Sequence, residues 1–220
     1  PHRDGDRLIY LRHSSDSPDG RSLTFSVPEV RELRAGVPSL GGIAEYSAWF
    51  GTLHHDDFAE RIETGLVTGN FFEVMGLSPV LGRLTRPSDD GAGVQPVMVL
   101  SHDFWMKRFG GDSSIVGRQL RLNSASVTVI GVLQPAPFFP NRADAILNMV
   151  SSPHHLSTQM VDARVHRMTE VLARLAPGAT VEQAQNEISA VYTRMHNDHK
   201  EAFETGRLYS VSAVPFKEVL

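Results

Sequence analysis

The sequence predicts an α+β fold in which the two ends of the chain carry the same order of elements. Strand–helix–strand patterns occupy residues 7–50 and again residues 165–215, and a strand-rich stretch separates them. Two such units can pair into one four-stranded sheet with both helices on one face, because each crossover is right-handed. We therefore predict one subdomain from residues 1–66 and 151–220, with a second α+β subdomain of residues 67–150 inserted into it.

The first strand–helix–strand unit begins with a strand at residues 7–13, where β-forming residues alternate with charges. Ser26 and Glu29 have the spacing of a capping box, which predicts the start of a short helix. The apolar side of this helix is formed by Val27, Val30, Leu33 and Val37. Residues 42–50 then return as a strand.

The second unit repeats this order near the end of the chain. Residues 165–175 are predicted to form a strand, and Thr180 with Gln183 forms another capping box. One apolar seam follows the next helix through Val181, Ala184, Ile188, Val191 and Met195. Residues 208–214 alternate as a closing strand.

The middle of the chain starts with a predicted strand at residues 58–68. Asn70 is placed to cap a short helix, and Gly76 supplies the left-handed residue that stops it. Residues 97–100 are predicted to be a short buried strand.

Further helix and strand signals follow in the same stretch. Ser101 is predicted to cap a helix that ends at the glycine pair 110–111. Residues 115–123 and 126–133 read as the two arms of a hairpin, and residues 143–150 as a strand. The turn pair Ser124-Ala125 between the arms takes the place of the favoured Asn-Gly, so the loop type stays open.

Composition excludes several functional classes. The chain has 220 residues, enough for one large or two small domains, and its net charge of −4 comes from interspersed charges of both signs. A nucleic-acid surface or a polybasic membrane patch is therefore not expected. No cysteine is present, which excludes disulfides, thiolate catalysis and cysteine zinc sites. Because Pro1 is not a methionine, we interpret it as a cut inside a longer protein.

A set of short motifs runs through the middle of the chain and into its end. The motifs are VTGNFF at 67–72, MGL at 75–77, PVLGR at 79–83, VLSHDFW at 99–105, RFGGD at 108–112, IVG at 115–117, LN at 122–123, VIGV at 129–132, RLAPGAT at 174–180 and EQA at 182–184. Together they resemble the MacB-type periplasmic core domain, the extracytoplasmic domain of ABC-transporter permeases in the MacB/FtsX superfamily. The resemblance extends from about residue 25 to the end. It departs in the hairpin, which has Asn-Ser for Asn-Gly, and at 145–147, where an aromatic residue is usual.

The resemblance implies a fold, a location and a role. Residues 1–66 and 151–220 would form a porter-like βαβ subdomain, and residues 67–150 an inserted Sabre-like subdomain. The domain would loop out into the periplasm between the first and second transmembrane helices of an inner-membrane permease. One apolar helix would then precede residue 1 in the parent protein and three would follow residue 220.

The implied role is non-catalytic and needs no cofactor. The domain would couple transmembrane motion to substrate efflux or handling; the alternative is a binding module that recruits or activates a partner protein, as FtsX-like relatives do. Its implied partners are the transmembrane helices of its own permease, an ATPase subunit or domain, and a periplasmic adaptor.

Ten histidines raise the question of a metal site. Residues 54–57 (His-His-Asp-Asp) could offer nitrogen and oxygen donors from one turn, and His196 and His199 have helical i, i+3 spacing. His154 and His155 lie in a Ser/Pro-rich loop. None of these has the spacing of a zinc-protease helix, so we interpret all of them as solvated histidines and predict no metal site.

Other catalytic patterns are also missing. There is no Gly-x-Ser-x-Gly, and Ser101 is interpreted as a helix cap and not as a nucleophile. The glycines at 110–112 follow a helix, the wrong end for a dipole-based phosphate site. We therefore predict no catalytic or cofactor-binding residue, and the charges at 60–63 and 89–90 are interpreted as solvated faces.

Two groups of aromatic residues have different predicted roles. The core of the inserted subdomain is predicted to contain Phe71, Phe72, Phe104, Trp105 and Phe109, with a partner-binding patch as the alternative. An exposed apolar surface is instead expected at Trp49–Phe50 and at residues 137–140, because both border turns.

Overall fold

The computed structural model describes residues 2–16, 23–55, 58–91, 93–137 and 142–219. It is a mixed α+β fold. The strands are β1 Leu8–Ser15, β2 Leu40–His55, β3 Phe58–Val67, β4 Pro79–Gly82, β5 Val97–Leu100, β6 Gln119–Leu122, β7 Ala125–Leu133, β8 Ala145–Asn148, β9 Glu170–Leu175 and β10 Tyr209–Pro215. The helices are α1 Val27–Gly36, α2 Phe71–Met75, α3 His102–Phe109, α4 Pro153–Leu156, α5 Thr158–Asp162 and α6 Val181–Asp198. Among the helices in these ranges, none is both long enough and apolar enough to span a membrane.

The chain divides into two compact units. The terminal unit contains residues 4–45 and 157–220, and the middle unit contains residues 1–3 and 46–156. This division places the pairing of β2 with β3 in the middle unit, whereas the division predicted from the sequence placed residues up to 66 with the chain ends.

The terminal unit is a sheet covered by two helices. Its strands lie in the order β10–β1–β9–β2, and β1 is antiparallel to both β10 and β9. Both helices contribute to one core with alternate residues of β1, as the spacing of apolar residues predicted. This core includes Ile9, Leu11, Val30, Leu33, Ile188 and Val191. The helices therefore lie on the same face of the sheet.

Both predicted capping boxes are confirmed. The backbone N–H of Ser26 donates to the Glu29 carboxylate at 2.8 Å, and Glu29 N–H donates back to the Ser26 hydroxyl. Thr180 and Gln183 exchange the same pair of bonds at 2.9 and 3.1 Å. Each box provides hydrogen-bond acceptors for two backbone N–H groups at the first turn of its helix, and so fixes where α1 and α6 begin.

Some predicted bounds were wrong for local reasons. The strand predicted at 165–175 begins only at Glu170, and the arm predicted at 115–123 begins only at Gln119. Gly117 has a φ of +92°, which an extended strand cannot contain, so the arm is broken there. Asn70 makes no capping bond to α2, although Gly76 ends this helix with a φ of +65° as predicted.

In the middle unit, six strands close on themselves. β3 lies between β2 and β8, β5 lies between β8 and β7, and β6 pairs with both β7 and β2. Every one of these strands contributes to the same apolar core, together with Phe104 of α3. The sequence predicted a strand-rich middle but not this closure.

The hairpin turn makes the closure possible. Leu122 pairs with Ala125, so the two turn residues are Asn123 and Ser124, and Asn123 has a φ of +53°. The sequence predicted Ser124-Ala125 as the turn pair, so the turn lies one residue earlier than expected. Only Asn123 is left-handed, which asparagine tolerates, and Ser124 does not have a positive φ; serine can therefore stand where glycine is favoured. The backbone N–H of Asn123 donates to Thr52 O at 2.8 Å, and its side-chain oxygen accepts from Thr52 N–H at 2.8 Å. The turn therefore extends the pairing of β6 with β2.

Two glycines of the motif set allow β4 and β7 to approach closely. A Cβ added to Gly131 would lie 2.1 Å from the carbonyl oxygen of Arg83, and one added to Gly82 would lie 2.3 Å from that of Ile130. Both obstacles are backbone atoms, which cannot rotate away as a flexible side chain can.

Asn148 joins the loop before β5 to the end of β8. Its side-chain amide donates to the carbonyl oxygens of Asp89 and Gln95 at 2.9 and 3.1 Å. Its oxygen accepts from Val97 N–H at 2.9 Å and from the Ser151 hydroxyl at 2.8 Å. The side chain is fully buried and uses both donors and both acceptor positions, so it can hold the loop without leaving an unpaired polar group.

His13 is the buried titratable group of the terminal unit. Its Nδ1 lies 3.0 Å from the carbonyl oxygen of Thr24, which can only accept, so Nδ1 carries the hydrogen. Nε2 is then the acceptor for the Tyr192 hydroxyl, 2.5 Å away. Burial lowers the pKa of His13 and outweighs the nearby Glu29 carboxylate, which raises it. The neutral imidazole is therefore the form that fits this core.

Replacing Gly131 by alanine is expected to lower the free energy of unfolding by about 2–3 kcal/mol, because β4 and β7 must separate to admit the methyl group. Ser126→Ala, at an exposed position of the same strand, should change it by less than about 0.5 kcal/mol. Urea unfolding followed by tryptophan fluorescence measures both variants, since Trp49 and Trp105 belong to the middle unit. Equal stabilities of the two variants would contradict the backbone contact.

The terminal unit is expected to lose stability as the pH falls below about 6.5. A histidine with a lowered pKa binds fewer protons when folded than when unfolded, so its contribution is present above the unfolded pKa and declines by up to about 1.4 kcal/mol per pH unit below it. Urea unfolding of the whole chain, followed by circular dichroism between pH 5 and 8, measures this slope.

The variant His13→Gln should be less stable at every pH but show a flatter slope than the unmodified protein. His154→Gln, at an exposed position of α4, should keep the original slope. Burial raises the pKa of Glu170, which acts in the opposite sense, but its contribution is common to all three proteins. An unchanged slope in His13→Gln would show that His13 is not the group responsible.

Candidate interaction surface

The histidines that suggested a metal site have other surroundings. His55 packs edge-on against Phe109 at 5.2 Å, and His196 lies 4.7 Å from the ring of Phe203. The Nδ1 of His155 lies 2.8 Å from the Ser152 hydroxyl. Asp56 and Asp57, the oxygen donors predicted beside His54 and His55, lie outside the described residues. Within the described part of the chain, no group of three His, Asp or Glu residues is arranged to hold a metal.

Ser101 and the glycines after α3 have the structural roles predicted for them. The Ser101 hydroxyl accepts from Phe104 N–H at 3.2 Å and so caps α3. Gly110 and Gly111 have φ values of +58° and +75° and end this helix. Ser101 is buried at the cap, where its hydroxyl stabilises the start of α3.

The aromatic residues separate into buried and exposed groups, and among the described residues the prediction was wrong only for Trp49, which was expected to be exposed but packs on the core. Phe71, Phe72 and Phe104 are at most 5% exposed, and Trp105 and Phe109 are half-buried and pack on the core of the middle unit. Phe50 is 55% exposed, whereas its neighbour Trp49 packs against that core. In the second predicted patch, residues 138–140 lie outside the described residues.

Phe50 stands in an open groove beside charged residues. The groove, called here the Phe50 groove, is lined by Ala48, Trp49, Phe50, Arg61, Glu63, Thr64 and Arg142. The guanidinium carbon of Arg61 lies 3.8 Å from the centre of the Phe50 ring. Such a cation–π contact is worth about 0.5–1 kcal/mol at an exposed site, so it orders the ring without burying it.

A second groove adjoins the first and is strongly charged. This groove, called here the strand-edge groove, has a volume of about 320 Å³ and is lined by Glu60, Arg61, Glu63, Asp103, Phe104, Lys107, Arg108, Arg142 and Asp144. It shares Arg61, Glu63 and Arg142 with the Phe50 groove. Four acidic and four basic side chains line it, so it presents both signs of charge and no strong net field.

A smaller apolar crevice lies at the start of α3. Its free volume is only about 40 Å³, and Tyr46 and Phe71 line it together with Ser101 and Ile146. The Tyr46 hydroxyl has no hydrogen-bond partner within the described residues, and burial raises the pKa of this group. A Cβ on Gly65 would lie 2.3 Å from the Tyr46 ring, so glycine is needed there for the ring to lie flat on β3. The crevice is too small for an organic ligand.

Interaction surfaces were predictable only in part. The turn predicted beside Trp49–Phe50 is absent because β2 continues to His55, but Phe50 is exposed as expected. The charges at residues 60–63 were interpreted as a solvated face, but Arg61 and Glu63 line both grooves and Glu60 lines the strand-edge groove. No local sequence signal could have predicted that α3 lies beside these charges, because residues 60 and 108 are far apart along the chain. The interpretation of residues 89–90 as a solvated face was wrong for Asp89, which is buried and accepts two hydrogen bonds from Arg83.

Replacing Phe50 by serine is expected to change the free energy of unfolding by less than about 1 kcal/mol, because the ring is mostly exposed. Phe104→Ser should cost about 3–5 kcal/mol, because that ring is in the core. Urea unfolding followed by circular dichroism compares them without relying on the neighbouring tryptophans. A similar loss for both variants would show that Phe50 is part of the core.

Comparison with known proteins gives one family and several similar folds. The family model of the MacB-like periplasmic core domain matches residues 1–191. This match includes the first 24 residues, which carried no resemblance in the motif comparison, and leaves residues 192–220 outside. No curated protein matches the sequence.

Solved structures share the fold at low sequence identity. A domain described as part of a permease protein from Porphyromonas gingivalis has a TM-score of 0.69 and 18% identity, over 98% of this chain and 93% of that chain. The extracellular domain of the noncanonic ABC-type transporter YknZ from Gram-positive bacteria has a TM-score of 0.65 and 17% identity, over 93% and 98%.

The periplasmic region of MacB from Actinobacillus actinomycetemcomitans also has a TM-score of 0.65, with 15% identity over 93% of this chain and 88% of that chain. At these identities the structures show a common fold and nothing further. The family model covers most of the chain, and the chain therefore belongs to the family of MacB-like periplasmic core domains, which are parts of ABC-transporter permeases.

Proposed function

We propose that this domain is the non-catalytic periplasmic part of an inner-membrane ABC-type permease, and that it couples the motion of the transmembrane helices to substrate efflux or handling. Membership of the family supports the location outside the cytoplasm and the partnership with transmembrane segments and an ATPase. A periplasmic adaptor as a further partner is part of the same proposal.

The observation that carries this proposal is the division of the chain into two compact units, each with its own core. A domain that transmits motion needs elements that move as wholes, and packed cores supply them because they do not deform continuously. We propose that the terminal unit corresponds to the porter-like subdomain and the middle unit to the inserted Sabre-like subdomain.

We also propose that the domain has no catalytic activity. The surroundings of Ser101, the strongest candidate for a nucleophile, support this. The Ser101 hydroxyl caps α3 by accepting from Phe104 N–H, and within the described residues it makes no hydrogen bond to a histidine. A hydrolase would need a nucleophile within hydrogen-bond reach of a base.

A second candidate function is the recruitment or activation of a partner protein. The observation that favours it is the exposed Phe50, whose ring contacts Arg61, a residue that lines both grooves. Aromatic residues, including phenylalanine, and arginine are enriched at protein–protein interfaces.

Distances between two spin labels test the coupling role in the complete permease with its ATPase. Because this chain has no cysteine, Ser126→Cys in the middle unit and Ala190→Cys in the terminal unit label defined exposed positions once cysteines elsewhere in the permease are replaced. We expect the distance measured by double electron–electron resonance to differ between the nucleotide-free and ATP-bound permease.

The control pair Ser126→Cys and Lys107→Cys places both labels in the middle unit, and its distance should stay constant. If the distance between the units also stays constant while the permease hydrolyses ATP, the coupling role is wrong and the recruitment role becomes the better candidate.

A further inference from the structure

Among the described residues, one edge of β3 lacks a neighbouring strand over part of its length. β3 pairs with β2 along all of Phe58–Val67, but with β8 only from Thr64 to Val67. At the point where β8 begins, Glu63 N–H donates to the Asp144 carboxylate at 3.1 Å and Glu63 O accepts from Asp144 N–H at 2.7 Å. The backbone of Glu63 therefore faces away from β2.

The same direction holds for every second residue of the strand. Backbone groups alternate between the two sides of a strand, so Ala59 and Arg61 also face away from β2. An independent observation agrees: Thr52, the partner of Arg61 on β2, exchanges its hydrogen bonds with Asn123 on its other side. Within the described residues, the N–H and C=O of Ala59 and Arg61 have no backbone partner.

Helix α3 lies opposite this open edge, and the strand-edge groove is the space between them. Asp103, Phe104, Lys107 and Arg108 line it from the helix, and Glu60, Arg61 and Glu63 line it from the strand. An ion pair between Arg108 and Glu60 joins the two walls. The groove is therefore lined on one side by the part of β3 that contains Arg61, and by charged side chains on both sides.

We propose that the strand-edge groove binds an extended segment of a partner protein, which adds to β3 as a further strand. Only a backbone in extended conformation offers donors and acceptors at the spacing of Ala59 and Arg61, because a helix uses its own groups internally. Binding by strand addition takes its affinity from main-chain hydrogen bonds and its selectivity from side-chain contacts on alternate residues.

The charges define the chemistry of the segment. Acidic and basic side chains line the groove in equal number, so the complementary segment carries charges of both signs and is neither a nucleic acid nor an apolar helix. Side chains of the bound segment that point toward the Phe50 groove would contact the exposed ring of Phe50. The segment is therefore a polar strand with an apolar residue at the position that meets Phe50.

This inference goes beyond the proposed function. The proposed binding at the β3 edge does not depend on whether the domain transmits motion or recruits a partner. An experiment that finds no binding there would therefore not contradict the coupling role.

The test uses a library of random twelve-residue peptides displayed on phage and selected on the 220-residue chain. Enriched peptides are then synthesised and their affinities measured. We expect binding to slow hydrogen exchange at the amides of Ala59 and Arg61 at least tenfold. N-methylation at alternate peptide residues should weaken binding at least tenfold, and methylation of the residues between them less than threefold. That alternation is specific to an added strand.

Two variants of one residue separate the backbone from the side chain. Arg61→Pro removes the outward N–H without breaking a bond to β2, and it should weaken peptide binding at least tenfold. Arg61→Ala keeps the N–H and should weaken binding less. If Arg61→Pro does not fold, the methylation pattern decides alone.

Three results would overturn the proposal. They are the absence of any enriched peptide, a selected peptide whose affinity shows no alternation on methylation, and a dimer of this chain in sedimentation that Arg61→Pro abolishes. The last would mean that a second copy occupies the edge.

Discussion

The middle unit depends on the pairing of β6, a strand of four residues, with two neighbours at once. Leu122 pairs with Ala125 across the turn and with Leu53 on β2, and this double pairing closes six strands around one core. A closed set of strands needs no partner to satisfy its edges, which explains how a unit with short strands can form a complete core. Asn123 makes the closure possible because its side chain and backbone both bond to Thr52.

The motif residues that carry the family resemblance therefore have structural roles in this chain. Gly82 and Gly131 permit the close approach of β4 and β7, and Gly76 and Gly110 end helices in left-handed conformation. Ser101 caps α3. A family signature made of such residues identifies a fold reliably and says little about a ligand, because the same residues are needed whatever the domain binds.

Function in this domain is better sought where the closed arrangement is incomplete. Among the described residues, β8 covers β3 only from Thr64, and before that residue the edge of β3 faces charged side chains of α3 instead of another strand. Proteins commonly protect open edges with charged residues, and Arg61 and Glu60 agree with that role. In the proposed strand addition, the same charges would also select the partner segment, so one set of residues would serve both protection and recognition.

The sequence alone determined the local elements and the family. Capping boxes at Ser26 and Thr180, the glycine stops and the apolar spacing of α6 are signals within a few residues of one another, and the structure contains them all. The motif set was enough to place the chain in its family before any coordinates were known.

Only the tertiary structure decided how these elements combine. The closure through β6, the contact of Gly131 with a backbone oxygen and the open edge of β3 beside α3 all join residues distant in the sequence. Periodicity reports which side of an element is buried, but it does not report which other element covers it. The buried His13 and the charged groove escaped sequence analysis for that reason: both depend on partners that only the folded chain brings near.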